Sequence, residues 1–116
     1  MIRDGYGADL VAWGRVVALT TVGRVSGAPV TVAVGFVEEP DGALLVAAGN
    51  PAAHWAANLR AQPSCRYRIG DREGTAVAEE LLGAEQARAV VELILKYGTP
   101  SENLGRGPAF RIVPEG

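Results

Sequence analysis

Short apolar stretches, each cut off by glycine, proline, asparagine or aspartate, make up the first part of this chain. Clear helical spacing appears only in two later segments. Residues 15–21 have the β-branched and apolar content of a strand that stops at Gly23, and a second strand restarts at Pro29 and runs to about Glu38. On that strand Val30, Val32, Val34 and Phe36 take one face and Thr31, Ala33, Gly35 and Val37 the other. Both faces are therefore expected to be partly covered, as in a small barrel. Glu39-Pro40-Asp41-Gly42 has the residues a β-turn demands and leads into a third strand over 43–48, so the second and third strands form a hairpin.

Past Gly49 the period changes. Residues 52–61 are good helix formers with Trp55 and Leu59 on one face, Asn50 as N-cap, Pro51 at the first helical position and Pro63 barring continuation. Residues 64–69 and 73–82 flank Gly70-Asp71-Arg72 as another hairpin. Residues 85–97 form an amphipathic helix whose stripe is Ala87, Val90, Val91, Ile94 and Leu95, stopped by Gly98 and Pro100. After a loop over 101–108, residues 109–113 close as a last strand. Ahead of the first strand, 1–14 is an extension with one or two helical turns capped by Asp9. The order β-β-β-α-β-β-α-β has no helices between the early strands, which excludes a parallel α/β sheet. The expected fold is α+β, mainly β: a split β-barrel of about six strands with two flanking helices.

Length and composition narrow this picture. At 116 residues, 48% apolar and 21% charged, the chain has the material for one domain spanning 1–116. Its 11 basic and 13 acidic residues are mixed along the sequence, with no cluster fit to neutralise a row of phosphates, so nucleic acid is not an expected partner. The single cysteine, Cys65, and single histidine, His54, make neither a disulfide nor a metal site; Cys65 reads as a small buried hydrophobe in a reducing, cytoplasmic setting. No leader pattern and no apolar run of membrane-spanning length is present.

The candidate chemistry centres on Gly23-Arg24-Val25-Ser26-Gly27, a glycine-bracketed turn with one cation and one hydroxyl. Such a turn is either an ordinary hairpin loop or a place where backbone amides and Arg24 hold an anion. The run Leu19-Thr20-Thr21-Val22-Gly23-Arg24-Val25-Ser26-Gly27-Ala28-Pro29-Val30-Thr31, then Ala47-Ala48-Gly49-Asn50-Pro51, then Trp55-Ala56-Ala57-Asn58-Leu59-Arg60-Ala61-Gln62-Pro63, resembles the deazaflavin-dependent nitroreductase and quinone reductase family. That family belongs to the FMN-binding split-barrel superfamily and uses the deazaflavin coenzyme F420 as hydride carrier. The resemblance covers about residues 16–82, and more loosely the final helix and strand.

It implies a cofactor site made of Arg24, Ser26 and Gly27 at the phosphate, Thr21 and Thr31 facing the same cleft, Ala48, Gly49 and Asn50 against the flat ring, and Trp55 and Asn58 on the helix. Tyr97 would line the substrate pocket in the family manner. His54, by its own position beside Trp55 near the cleft, reads as a substrate-lining or surface residue whose proton-transfer role has no visible partner, and no catalytic residue is singled out. A small-molecule acceptor of quinone or nitro type and a homodimer, its second subunit completing the cleft, are further implications. Trp55 has an alternative as a core residue, Asn58 as a backbone cap, and Tyr97 as an amphipathic end to its helix. Arg66 and Arg68 alternate on one strand face, either as an exposed stripe or against an acidic ligand tail. Where the family carries further basic residues, this chain has Val25, Ala28 and Val30, and where it carries an aromatic beside the tryptophan, Ala56. These departures leave open a binding protein without catalysis, or an FMN-dependent member of the superfamily.

Overall fold

The computed structural model describes residues 10–98 and 107–115. Seven strands, β1 (Val17–Val22), β2 (Pro29–Val34), β3 (Val37–Glu38), β4 (Leu44–Ala47), β5 (Ser64–Ile69), β6 (Arg72–Leu81) and β7 (Ala109–Pro114), form one antiparallel sheet in the order β2-β1-β5-β6-β7-β4-β3. Helix α1 (His54–Ala61) lies between β4 and β5, and α2 (Ala84–Tyr97) between β6 and β7.

The curl of the sheet follows from its connectivity. The two edge strands, β2 and β3, are consecutive in the chain and joined only by Gly35 and Phe36. Three Cα steps of about 3.8 Å hold their ends within about 11 Å, whereas a flat seven-stranded sheet at about 4.8 Å per strand would set its edges about 29 Å apart. The sheet must therefore bend round on itself, which gives a split barrel.

Its interior is filled by Val17 and Leu19 of β1, Leu44 and Val46 of β4, Phe110 and Ile112 of β7, and by Trp55, Ala56 and Leu59, which α1 packs into the same cluster. A second cluster covers the other side of β4, where Leu45 and Ala47 meet Ala89 and Leu93 of α2. With both sides covered, β4 is buried along its whole length.

Several expectations are corrected here. The strand expected over 29–38 breaks at Gly35 and Phe36, raising the strand count to seven. Phe36 turns into the core, its amide donates to Tyr97 Oη at 3.0 Å, and Lys96 Nζ donates to its carbonyl at 2.6 Å. The remaining β2 is an edge strand whose outward face is uncovered, and its body pairs with β1; the expected hairpin with β4 is kept only by Val37 and Glu38.

Helix α1 begins at His54. Asn50 is not its cap: Asn50 Oδ1 accepts from the amide of Ala52 at 2.8 Å in an Asx-type turn, and Ala53 takes the N-cap position without a side-chain bond.

The stripe expected to bury α2 is only partly right, since Val90 and Ile94 are half-buried but the buried centre lies beside them. Ala89 and Leu93 are buried while Val91 is 53% and Leu95 77% exposed. The helix is oriented by polar anchors instead. Gln86 donates to the carbonyl of Gly107, Arg88 to Glu39, and Lys96 and Tyr97 bond Phe36, which together fix the rotation about its axis.

The turn expected over Gly70-Asp71-Arg72 is one residue shorter: Gly70, at φ 57°, and Asp71 join β5 to β6, and Arg72 already pairs with Ile69. Leu10, Val11 and Ala12 are helical, as expected of the extension; Asp9, Pro100 and most of the loop over 101–108 lie outside the described residues.

Candidate functional site

The loop between β1 and β2 closes on itself. Gly23 N–H donates to the carbonyl of Ala28 and Gly27 N–H to that of Gly23, both at 2.8 Å, while Ser26 Oγ accepts from the amide of Ala28 at 3.1 Å. Gly23 has no room for a side chain, because a Cβ there would stand 2.8 Å from Ser26 Oγ and 3.0 Å from the Ala28 carbonyl oxygen. Gly27, at φ 76°, takes a conformation other residues resist. Two amides of the loop, those of Val25 and Ser26, have no partner among the described residues.

Arg24 turns from this loop onto α1. Its backbone amide donates to Asn58 Oδ1 at 3.2 Å and its Nη1 to the same oxygen at 2.8 Å, while Nη1 and Nη2 reach the carbonyl and Nδ1 of His54 at 3.4 and 3.2 Å. Asn58 in turn donates from Nδ2 to Thr21 Oγ1 at 3.1 Å, and the Thr21 hydroxyl donates to the carbonyl of Val30 at 3.3 Å. Asn58 and Thr21 are the two buried polar residues among those described, and each has its hydrogen-bonding groups engaged. The structure thus joins Thr21, Arg24, His54 and Asn58 in one network across 37 residues of sequence.

The other expected site residues are placed differently. Thr31 does not share a cleft with Thr21: it pairs with Thr20 on the outward face, hydroxyl to hydroxyl at 2.8 Å, because Thr21 faces Val30 across the ladder and alternate residues point to opposite sides. Ser26 spends its hydroxyl on its own loop. Trp55 is a core residue, its ring 6.1 Å from that of Phe110. Ala48 is buried with its amide on the carbonyl of Pro108, and a Cβ at Gly107 would collide with its carbonyl oxygen; Gly49 and Asn50 are exposed ahead of α1. Tyr97 acts as a latch: its hydroxyl donates to the carbonyl of Arg15 at 2.7 Å, and its ring covers Gly35.

Arg66 and Arg68 form the exposed stripe on β5, without an ion pair among the described residues. Arg66, Thr20 and Thr75 share one cross-strand row and line a groove of about 300 Å³ that reaches Gly27 and Glu115. Strand alternation places Thr20 outward, but the row forms only when β1, β5 and β6 pair.

The remaining charges serve the scaffold. Arg60 grips Glu80 through two bonds at 3.0 and 2.6 Å, Arg72 grips Glu38 likewise, and Glu39 lies between Arg88 and Arg111. The Arg60 and Arg72 guanidiniums hold the carboxyls of Glu80 and Glu38 below the usual carboxylate range. Burial, with a smaller contribution from the charge of Glu115, pushes the Cys65 thiol up to about 11, so it is protonated near neutral pH. No group of metal-ligating side chains and no helix long and apolar enough to cross a membrane occurs among the described residues.

A family model for F420H2-dependent quinone reductases matches residues 4–101. The chain belongs to that family. A solved F420-H2 dependent reductase, FDR-A, is 27% identical over 84% of this chain and 93% of its own, with a TM-score of 0.72. The fold is shared more widely. The heme storage protein HutZ from Vibrio cholerae superposes at a TM-score of 0.70, with 19% identity over 100% of this chain and 92% of its own. The Mycobacterium tuberculosis protein Rv2991 does so at 0.71, with 21% identity over 100% of this chain and 82% of its own. No curated protein matches the chain. In this chain, Arg24 and Asn58 bind together the loop and helix motifs that carried the resemblance.

Proposed function

We propose that this chain binds the deazaflavin coenzyme F420 and works as an oxidoreductase on a small acceptor of quinone or nitro type. The observation that carries the reading is the Arg24–Asn58 contact at 2.8 Å, which makes one site of two family motifs 34 residues apart. The residues fit a phosphate-bearing coenzyme: the loop supplies the exposed guanidinium of Arg24 and the unpartnered amides of Val25 and Ser26, donors of the kind that hold anions. Bound there, the coenzyme supplies hydride transfer, and the protein's part is to place it and to limit water. Arg24 neutralises the phosphate, Asn58 holds Arg24 in place, and the Gly27 backbone lies along the adjoining groove. We further propose a homodimeric, cytoplasmic, single-domain protein in which a second subunit completes the cleft.

A second reading is a non-catalytic ligand-binding split barrel, or an FMN-dependent one. It is favoured by Val25, 93% exposed at the loop tip where the family has basic residues, which leaves Arg24 as the loop's single cation. Titrating the protein with oxidised F420, FMN and haem, and following tryptophan quenching, separates these. Saturable binding of F420, weakened by about 1.5–3 kcal/mol in Arg24→Ala, is expected, the range for a hydrogen bond to a charged group. Saturation by FMN or haem alone selects the second reading, and a monomeric mass at micromolar concentration removes the dimer.

A further inference from the structure

We propose that His54 is a positioning residue for the loop cation, holding Arg24 through Nδ1 while its own proton sits on Nε2. A guanidinium has donors and no acceptor, so the 3.2 Å contact between Arg24 Nη2 and His54 Nδ1 is attractive only when Nδ1 presents its lone pair. That condition selects the neutral imidazole and fixes its tautomer. Four residues on, Asn58 lies one helical turn along the same face of α1, and its Oδ1 takes Nη1 at 2.8 Å. The two terminal nitrogens of Arg24 therefore have separate side-chain acceptors at the pitch of the helix. A single bond would leave the guanidinium free to swivel about it, and the second removes that freedom.

With Nη1 and the inner side of Nη2 turned to the helix, Nε–H and the remaining Nη2–H stay without a partner among the described residues. These two parallel donors match two oxygens of a phosphate. His54 thus sharpens the one cation this loop has, at the position where Val25, Ala28 and Val30 supply no other. Of the charged side chains described, Arg24 is the one within hydrogen-bonding distance of the imidazole.

The coenzyme part of this inference rests on the F420 reading, whereas the tautomer part does not. His54 is the only histidine of the chain, so its ¹⁵N imidazole signals need no assignment. In the free protein, with the ring neutral, the spectrum is expected to show the proton on Nε2 and an Nδ1 resonance that moves in Arg24→Ala. A proton on Nδ1, or an Nδ1 resonance unchanged by Arg24→Ala, overturns the contact. F420 binding is expected to weaken about 3- to 10-fold in His54→Ala, the effect of one modest hydrogen bond. It should recover in His54→Asn, whose Oδ1 can stand where Nδ1 stands. Binding unchanged in His54→Ala, or equally weak in both variants, overturns the positioning role. Failure of every form of the protein to bind F420 sinks the functional reading instead, and the tautomer measurement then decides His54 alone.

Discussion

Replacing Asn58 separates two consequences of its contacts, the attachment of the loop to the barrel and the availability of the Arg24 charge to an anion. Only 2% of the residue is exposed, and its amide makes three side-chain-mediated bonds: from the Arg24 amide, from Arg24 Nη1 and to Thr21 Oγ1. Asn58→Ala deletes all three and leaves a small void beside the buried hydroxyl of Thr21. The two neutral bonds contribute about 0.5–1.5 kcal/mol each, while the charged one counts for less than its usual value because Arg24 is exposed. The expected cost is about 2–4 kcal/mol, read as a lower urea midpoint at constant m-value, or a fall of about 8–16 °C in Tm at about 4 °C per kcal/mol.

Asn58→Asp keeps the shape and both Arg24 contacts. Thr21 loses the Nδ2 donor but can turn its hydroxyl to the new carboxylate, giving up the carbonyl of Val30 at a cost of about 1 kcal/mol. Stability should therefore stay close to that of the parent protein. The carboxylate, however, compensates the Arg24 charge at 2.8 Å, so affinity for F420 should fall at least tenfold, on the order of 1.4 kcal/mol. A loss below about 1 kcal/mol in Asn58→Ala would refute the structural role of the network. Undiminished F420 binding in Asn58→Asp would place the anion away from Arg24.

Three further outcomes test the scaffold. Tyr97→Phe removes a hydroxyl that bonds both Arg15 and Phe36, and should cost about 1–3 kcal/mol in chemical denaturation because the Phe36 amide loses its partner. Leu93→Ala should cost about 2–5 kcal/mol, whereas Leu95→Gln should change stability by about 0.5 kcal/mol or less; equal losses would mean that the rotation assigned to α2 is wrong. Glu38 and Glu80 have carboxyls held below their ordinary value of 4.5 by Arg72 and Arg60. Their contribution is therefore complete above that value and is lost as pH falls through the lower folded-state value. Stability measured from pH 6 to pH 3 should drop less steeply in a Glu38→Gln, Glu80→Gln double variant, with a shallow difference at high salt because both pairs are exposed.

The local features of this protein are legible in its sequence because they depend on neighbours within a few residues. Alternating β-branched runs specify strands, Gly70-Asp71 marks a turn between two of them, Gly23 and Gly27 specify a tight loop, and the family motifs point to Arg24 and Asn58. Which face an element buries is a different matter, since it is settled by whatever packs against it. The 85–97 segment is apolar on more than one side, and bonds from Gln86, Arg88, Lys96 and Tyr97 to distant groups choose Ala89 and Leu93 for the interior. The break at Gly35 and Phe36 has the same origin, because its peptide is held by residues some 60 positions away.

Residue types alone could suggest that a loop arginine binds a phosphate. Its attachment to Asn58 and His54, and the separation of Thr21 from Thr31, required β1, β2 and α1 to be assembled. Contacts across 30 or more residues leave no periodic trace in the chain, and only the curled sheet brings the glycine loop against the helix.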